Sequence, residues 1–326
     1  MHDVIARYIM IFKRFNFVLL SFVLLLSGCV DRPQETLRVG AVLWPGYEPL
    51  YLADKLGYYQ GQPIKVIDYL SNTDTILAFK NHNLHAAAFT LDETLQLLAD
   101  GVDIDVILIM DMSYGGDVIL ANPGIERVDE LRGKPVAVES SAVGMFVLKR
   151  ALELHDMQVS DIQVVSTNAM EQASSFASGK VVAAVSFDPY RTQLVKSGKR
   201  EIFNSTLIPN EIIDVLVVRR SYSEQYPDTV KQLVEAWFKA LAYQAKNPQQ
   251  SAAYSLKRFN TTVEDYIASL ERLKFSTKED NRHLLDSQNS PLLQQQQHMI
   301  EILYELELIK KTPTLHGHLS SRYIPE

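Results

Sequence analysis

From Leu37 to Phe203, short β-type runs alternate with apolar residues at helical spacing, and the alternation starts twice. This pattern constrains the chain most, because it is the signature of βαβ units around a mostly parallel sheet. The first set opens with a strand from Leu37 to Leu43, after which Leu52, Leu56 and Tyr59 recur at helical spacing. It continues with a strand from Ile64 to Tyr69, a helix from Asp74 to Lys80, a strand from Leu84 to Thr90, a helix carrying Leu91, Leu95 and Leu98, and a run from Asp105 to Met110. A Gly115-Gly116 break and an extended run from Val118 to Ala121 follow, ending in the turn Asn122-Pro123-Gly124. The second set has strands from Pro135 to Glu139, Ile162 to Val165, Val181 to Phe187 and Glu201 to Phe203, with a helix from Ser140 to His155. Ile212 to Val218 is a second long extended run, placed to cross back. After Tyr222 the pattern reads as wholly helical, with stripes at Leu233, Trp237 and Leu241, from Val263 to Leu273, and from Leu292 to Leu306. Two α/β lobes are expected.

Ahead of this region, Leu26-Ser27-Gly28-Cys29 closes an apolar run from Phe17 to Leu26 and contains the only cysteine. Arg7, Lys13 and Arg14 precede the run, and small residues follow it. About ten apolar residues cannot span a bilayer, which needs about 20. Residues 1–28 therefore read as a signal peptide and 29–36 as a tether, with Met1 or Met10 as the start. The four residues resemble the lipobox of bacterial lipoproteins, which implies that Cys29 carries the lipid and anchors the chain on the periplasmic side of a bacterial membrane. The other reading is an ordinary secretory leader with a chance cysteine. Val30 stands where an aspartate would signal inner-membrane retention, so the same resemblance points to the outer membrane.

Without its leader the chain is thiol-free, which excludes disulfides, thiolate metal sites and cysteine nucleophiles. Loss of residues 1–29, with three basic and one acidic side chain, takes the net charge from −7 to −9. That balance argues against nucleic acid or an anionic membrane surface as partners. There is no P-loop, G-x-S-x-G, G-x-G-x-x-G or H-E-x-x-H, and His82 and His85 form only a weak pair, so no cofactor or metal is expected.

Four segments carry a resemblance: Trp44-Pro45-Gly46-Tyr47-Glu48-Pro49-Leu50, Leu84-His85-Ala86-Ala87-Ala88 before Thr90, Asp129-Glu130-Leu131-Arg132-Gly133-Lys134, and Val182-Ala183-Ala184-Val185 before Asp188-Pro189. In their order and spacing they resemble the type II periplasmic binding proteins of the nitrate, sulfonate, taurine, bicarbonate and thiamine-precursor group. The resemblance implies an α/β fold of two lobes joined by two crossing hinge strands, with a C-terminal helical segment. Residues 37–118 and 213–326 then form lobe 1 and residues 119–212 form lobe 2, with a small ligand closed between them. It also implies a receptor that serves an inner-membrane ABC permease and its ATPase and performs no chemistry, expected to be a monomer. A sensory receptor docking on a membrane kinase or cyclase is the alternative. An enzyme of the thiamine-precursor branch is disfavoured by the missing cysteine cluster.

In open α/β sheets a ligand binds beyond the C-terminal strand ends, near helix N-termini. Those ends are Trp44 to Tyr47, Thr90 to Glu93, Asp111 to Asp117, Glu139 to Val143 and Phe187 to Tyr190. Candidate ligand-binding residues are Trp44, Tyr47, Thr90, Asp92, Ser113, Asp117, Glu139, Ser140, Ser141, Asp188 and Tyr190, with Gly115 and Gly116 as the hinge. Trp44 and Tyr47 offer flat faces with one polar handle each, whereas Thr90, Ser140 and Ser141 either cap helices or donate to the ligand. Cleft and hinge segments carry Asp92, Glu93, Asp111, Asp117, Glu139, Asp188 and Asp214 against one base, Arg191. Such a pocket suits an amine or a neutral polar ligand better than a sulfonate, because a buried cation needs a paired anion.

Overall fold

The computed structural model describes residues 34–139 and 142–326; Cys29, Val30, both candidate starts, Ser140 and Ser141 lie outside the described residues. Eleven strands are found among them: β1 Leu37–Val42, β2 Ile64–Tyr69, β3 Ala86–Thr90, β4 Ile104–Ser113, β5 Val118–Ala121, β6 Pro135–Val138, β7 Gln163–Ser166, β8 Ala183–Ser186, β9 Arg200–Asn204, β10 Ile213–Arg219 and β11 Leu273–Phe275. They form two sheets, ordered β11-β4-β10-β3-β1-β2 and β7-β6-β8-β5-β9.

Both sheets are built alike. In the first, β1 pairs in parallel with β2 and β3, and β10 then lies antiparallel between β3 and β4. In the second, β6 pairs in parallel with β7 and β8, and β5 lies antiparallel between β8 and β9. The inserted strand comes in each case from a crossing: β5 follows β4 across Tyr114–Asp117 but joins the other sheet, and β10 returns after residues 205–212. A mostly parallel sheet thus needs correcting to a mixed one, since each crossing strand enters its sheet against the direction of its neighbours.

Helices cover these sheets as their apolar spacing demands. Leu91–Ala99 buries Leu91, Leu95 and Leu97, and the Thr90 N–H donates to Glu93 Oε2 at 3.2 Å, one half of a capping box. Asn72–Lys80 starts at Ser71, whose Oγ accepts from the Asp74 N–H at 3.1 Å. Leu292–Glu305 packs Met299, Ile300 and Leu303 into a core shared with Leu91–Ala99 and with Ala142–Glu153 of the other lobe, where Lys149 pairs with Glu305 at 2.5 Å. No helix among the described residues is long and apolar enough to cross a membrane.

One element departs from the sequence expectation. The helix read from Val263 to Leu273 stops at Leu270, and Leu273–Phe275 turns into β11, paired antiparallel with Asp111–Ser113 of β4. The cause is tertiary, because the outer edge of β4 would otherwise bury unpaired backbone groups. The C-terminal region continues this cover along the same edge. Ser276 N–H donates to Met110 O at 3.1 Å, Val106 N–H to His318 O at 2.7 Å, and Ser320 N–H to Val106 O at 3.0 Å. Between them the buried Asn281 accepts from Ile109 N–H at 2.7 Å and donates to Ile109 O at 2.9 Å. Asn281→Ala strands both groups of Ile109, and urea unfolding should show a loss of about 2–4 kcal/mol.

Candidate functional site

The ends of β1, β2 and β3, both crossings and the start of the second lobe meet around a small cavity of about 30 Å³. Val42, Trp44 and Tyr47 come from the end of β1, Asn72 from the end of β2 and Thr90 from the end of β3. Asp117, Ile212 and Asp214 come from the crossings, and Val143 and Phe187 close the cavity from the other lobe. Aromatic side chains and carboxyls thus line it together, Tyr47 beside Asp214.

Trp44 forms the aromatic contact between lobes, meeting Phe187 edge-on at 5.8 Å and 77°. Phe187 in turn meets Tyr190 edge-on at 5.7 Å. Two glycines make room for the indole. A Cβ on Gly116 would stand 2.7 Å from the Trp44 ring, and one on Gly46 would overlap both Trp44 and the Asp111 carboxyl. Trp44 Nε1 is buried and makes no hydrogen bond.

The acidic cluster is unusual in its burial. Asp92, Glu93, Asp111, Asp117, Glu139, Asp188 and Asp214 are all buried, none more than 7% exposed. Tyr47 donates its hydroxyl to Asp214 Oδ1, yet both oxygens of Asp111, Oδ2 of Asp92 and Oε1 of Glu93 have no hydrogen-bond partner. Burial is the main force on each. It pushes Asp92 and Asp111 up to about 7 and Asp117 up to about 6, the last opposed by a hydrogen bond from Ser113. Burial and then the neighbouring Asp111 raise Asp214 well above the carboxylate range, and burial and then Asp92 do the same to Glu93. Among the described residues no lysine, arginine or histidine lines the cavity. The nearby guanidinium groups are engaged: Arg191 Nε pairs with Glu201 at 3.0 Å, and Arg272 Nη1 with Glu201 at 3.2 Å and the Gly115 carbonyl at 2.6 Å. Among the described residues no group of three His, Cys, Asp or Glu could hold a metal ion.

Of the residues expected at the ligand, Trp44, Tyr47, Thr90 and Asp117 line the cavity. Others stand elsewhere. Asp188 accepts from Thr192 N–H at 3.1 Å and Thr192 Oγ1 at 2.5 Å, so its carboxylate caps its own helix. Ser113 Oγ accepts from Asp117 N–H at 3.0 Å and meets Ser205 Oγ at 2.8 Å, tying one crossing to the other. Asp92 lies in the first turn of Leu91–Ala99, and Tyr190 backs Phe187. Glu139 reaches across the lobes, accepting from Thr73 N–H at 3.2 Å and Thr73 Oγ1 at 3.3 Å. Gly115, at φ +99, donates its N–H to Ser205 Oγ at 2.6 Å. Asn72, Val42 and Ile212 line the cavity unanticipated. Asn72 was findable, because it stands just past the end of β2, where the strand-end rule applies as it does to β1 and β3.

A family model described as NMT1/THI5 like matches residues 44–251. An aliphatic sulfonates-binding protein of Bacillus subtilis (strain 168) is 25% identical over 256 residues, covering 74% of this chain and 76% of its own. Among solved structures, the alkanesulfonate-binding protein SsuA from Xanthomonas axonopodis pv. citri, bound to MOPS, superposes with a TM-score of 0.73 at 16% identity, over 89% of this chain and 99% of that one. The desulfurization enzyme DSZB superposes with a TM-score of 0.63 at 15% identity, over 88% of this chain and 97% of that one. At such identities the two structures share the fold, and the fold hosts both binding and catalysis.

Proposed function

Because the chain belongs to the NMT1/THI5-like family, we propose that it is the solute-binding component of an ABC importer, closing two lobes over a small organic ligand that carries an ammonium group. The observation that carries the ligand reading is the acidic lining: Asp117 and Asp214 line a cavity that, among the described residues, no basic side chain lines. A sulfonate placed there would meet carboxylates with no compensating cation, whereas an ammonium would relieve their repulsion and sit under the Trp44 and Tyr47 rings. Sulfonate binding, as named for the Bacillus and Xanthomonas proteins, is therefore not carried over. Isothermal titration with ethylammonium, putrescine and tetramethylammonium against ethanesulfonate tests the reading. Binding of an amine at least tenfold tighter than ethanesulfonate is expected, and preference for the sulfonate overturns it.

The same proposal assigns no chemistry to the cleft, since the sole cysteine of the chain is Cys29. Lobe movement is assigned to the crossings at Tyr114–Asp117 and residues 205–212, with Gly115 and Gly116 absorbing the rotation. Beside the cavity the lobes meet through Glu139 with Thr73 and Trp44 with Phe187, and away from it through the packing of Leu292–Glu305 against Ala142–Glu153. Cys29 is proposed as the lipid anchor. Cys29→Ser should abolish palmitate labelling and leave the protein soluble or uncleaved; a variant that labels as well as the parent removes the anchor.

A further inference from the structure

Asp111 on β4 and Asp214 on β10 are direct cross-strand partners and both are buried, which sets their carboxyl groups side by side on one face of the sheet. Two ionised carboxylates only accept, so a bond between them needs a proton. Asp214 faces the cavity and takes the Tyr47 hydroxyl. Asp111 lies beneath Gly46, beside the buried Trp44 indole.

We propose that Asp111 and Asp214 share one proton in the empty cleft, and that a ligand ammonium settling beside Asp214 expels this proton to solvent. Asp111 thereby acts as a positioning residue, setting the charge that the ligand meets without touching it. The inference rests on the cationic-ligand reading above. The step is a simple exchange: one carboxyl O–H bond breaks, its proton passes to water or buffer, and the ammonium supplies the lost positive charge.

The surroundings favour holding a proton. Tyr47 and Asp117 face the pair, Glu93 acts on it through Tyr47, and Asp92 lies beyond Asp117. On β11, Lys274 Nζ lies over the Tyr114 ring at 3.4 Å, and the preceding Arg272 is bound to Glu201 and Gly115, so neither base neutralises the pair. Burial raises both carboxyls above their ordinary range, and the repulsion of Asp111 on Asp214 makes the doubly ionised pair unfavourable.

Two measurements test the exchange. In ¹³C-aspartate NMR of the ligand-free protein, the Asp111 and Asp214 carboxyl resonances, assigned through the two Asn variants and told apart from Asp92 and Asp117, should titrate together with a step above pH 6, and Asp111→Asn should change the Asp214 titration but leave that of Asp92 in place. Asp214→Asn provides a second variant should the first fail to fold. Titration calorimetry with ethylammonium and putrescine at pH 6, in buffers of differing ionisation enthalpy, should show about one proton released per ligand. The wild-type Kd should rise about tenfold per pH unit below pH 7, whereas Asp111→Asn should release no proton and bind with a flat pH profile. All aspartates titrating below pH 5 overturns the shared proton whatever binds. An amine that binds without proton release overturns the exchange and leaves the cationic reading standing. Preference for ethanesulfonate, or no binding by any amine, overturns both.

Discussion

The ligand-free protein is expected to lose stability as the pH is raised from 5 to 8, by about 3 kcal/mol or more. In the unfolded chain aspartates titrate near 3.9 and glutamates near 4.3, whereas burial holds Asp117 at about 6 and Asp92 and Asp111 at about 7. Groups raised in this way bind more protons folded than unfolded. Their contribution is fully present below the unfolded value and is lost as the pH rises through the folded one. Within this window Asp117 loses the part between pH 5 and about 6, roughly 1.4 kcal/mol, and Asp111 the part between pH 5 and about 7, roughly 2.7 kcal/mol. The exposed carboxylates whose values are lowered, Asp129, Asp161 and Asp286, change stability only at pH below the ordinary range and leave this window untouched. Thermal unfolding should therefore show a melting temperature lower by about 10 °C at pH 8 than at pH 5. A flat or rising profile would mean that the acidic cluster is compensated. Saturation with a bound amine should flatten the fall, because the ligand supplies the charge that the lost protons carried.

The legibility of this molecule follows from which interactions are local. The strand positions and the break at Gly115-Gly116 could be read because β3, β5, β6 and β8 are short apolar runs and the ends of the parallel units are marked by helix starts or turns. The acidic cluster was legible for the same reason, as Asp92, Asp111, Asp117 and Asp214 lie at strand ends or crossings whose position the alternation defines. β11 was not legible. Three residues continuing a helical stripe carry no strand signal of their own, and only the bare edge of β4 recruits them. Nor could the sequence distinguish the duties of its carboxylates. Asp188 and Asp214 each stand at an element end, and one turns to Thr192 while the other turns to Tyr47 and the cavity. That difference is set by the direction of the side chain, which no spacing rule contains. Glu139 shows the same limit, since its partner Thr73 is 66 residues away in the other lobe.

Asp214→Asn should move stability and binding in opposite directions, which a purely structural residue cannot do. Asp214 is buried against Asp111 and Asp117, and both act to keep it neutral, so removing its charge relieves repulsion. An amide keeps the shape and still accepts from the Tyr47 hydroxyl through its oxygen, while its NH₂ donates to Asp111. The ligand-free variant should therefore be more stable at pH 8 by about 1–2 kcal/mol, read as a rise in the urea midpoint at unchanged slope. Binding of an amine should fall by about 2 kcal/mol or more, roughly thirtyfold, because a buried ammonium loses its paired anion. Asp117→Asn, on the same cavity wall, should weaken binding in the same direction. Asp188→Asn is the control. Its carboxylate serves Thr192, an amide oxygen serves that helix as well, and amine affinity should stay within about threefold of the parent. If Asp188→Asn weakens binding as much as Asp214→Asn, the ligand reaches the second lobe's helix start and the cavity wall has been assigned to the wrong carboxylate. If none of the three changes affinity, the cationic ligand is ruled out.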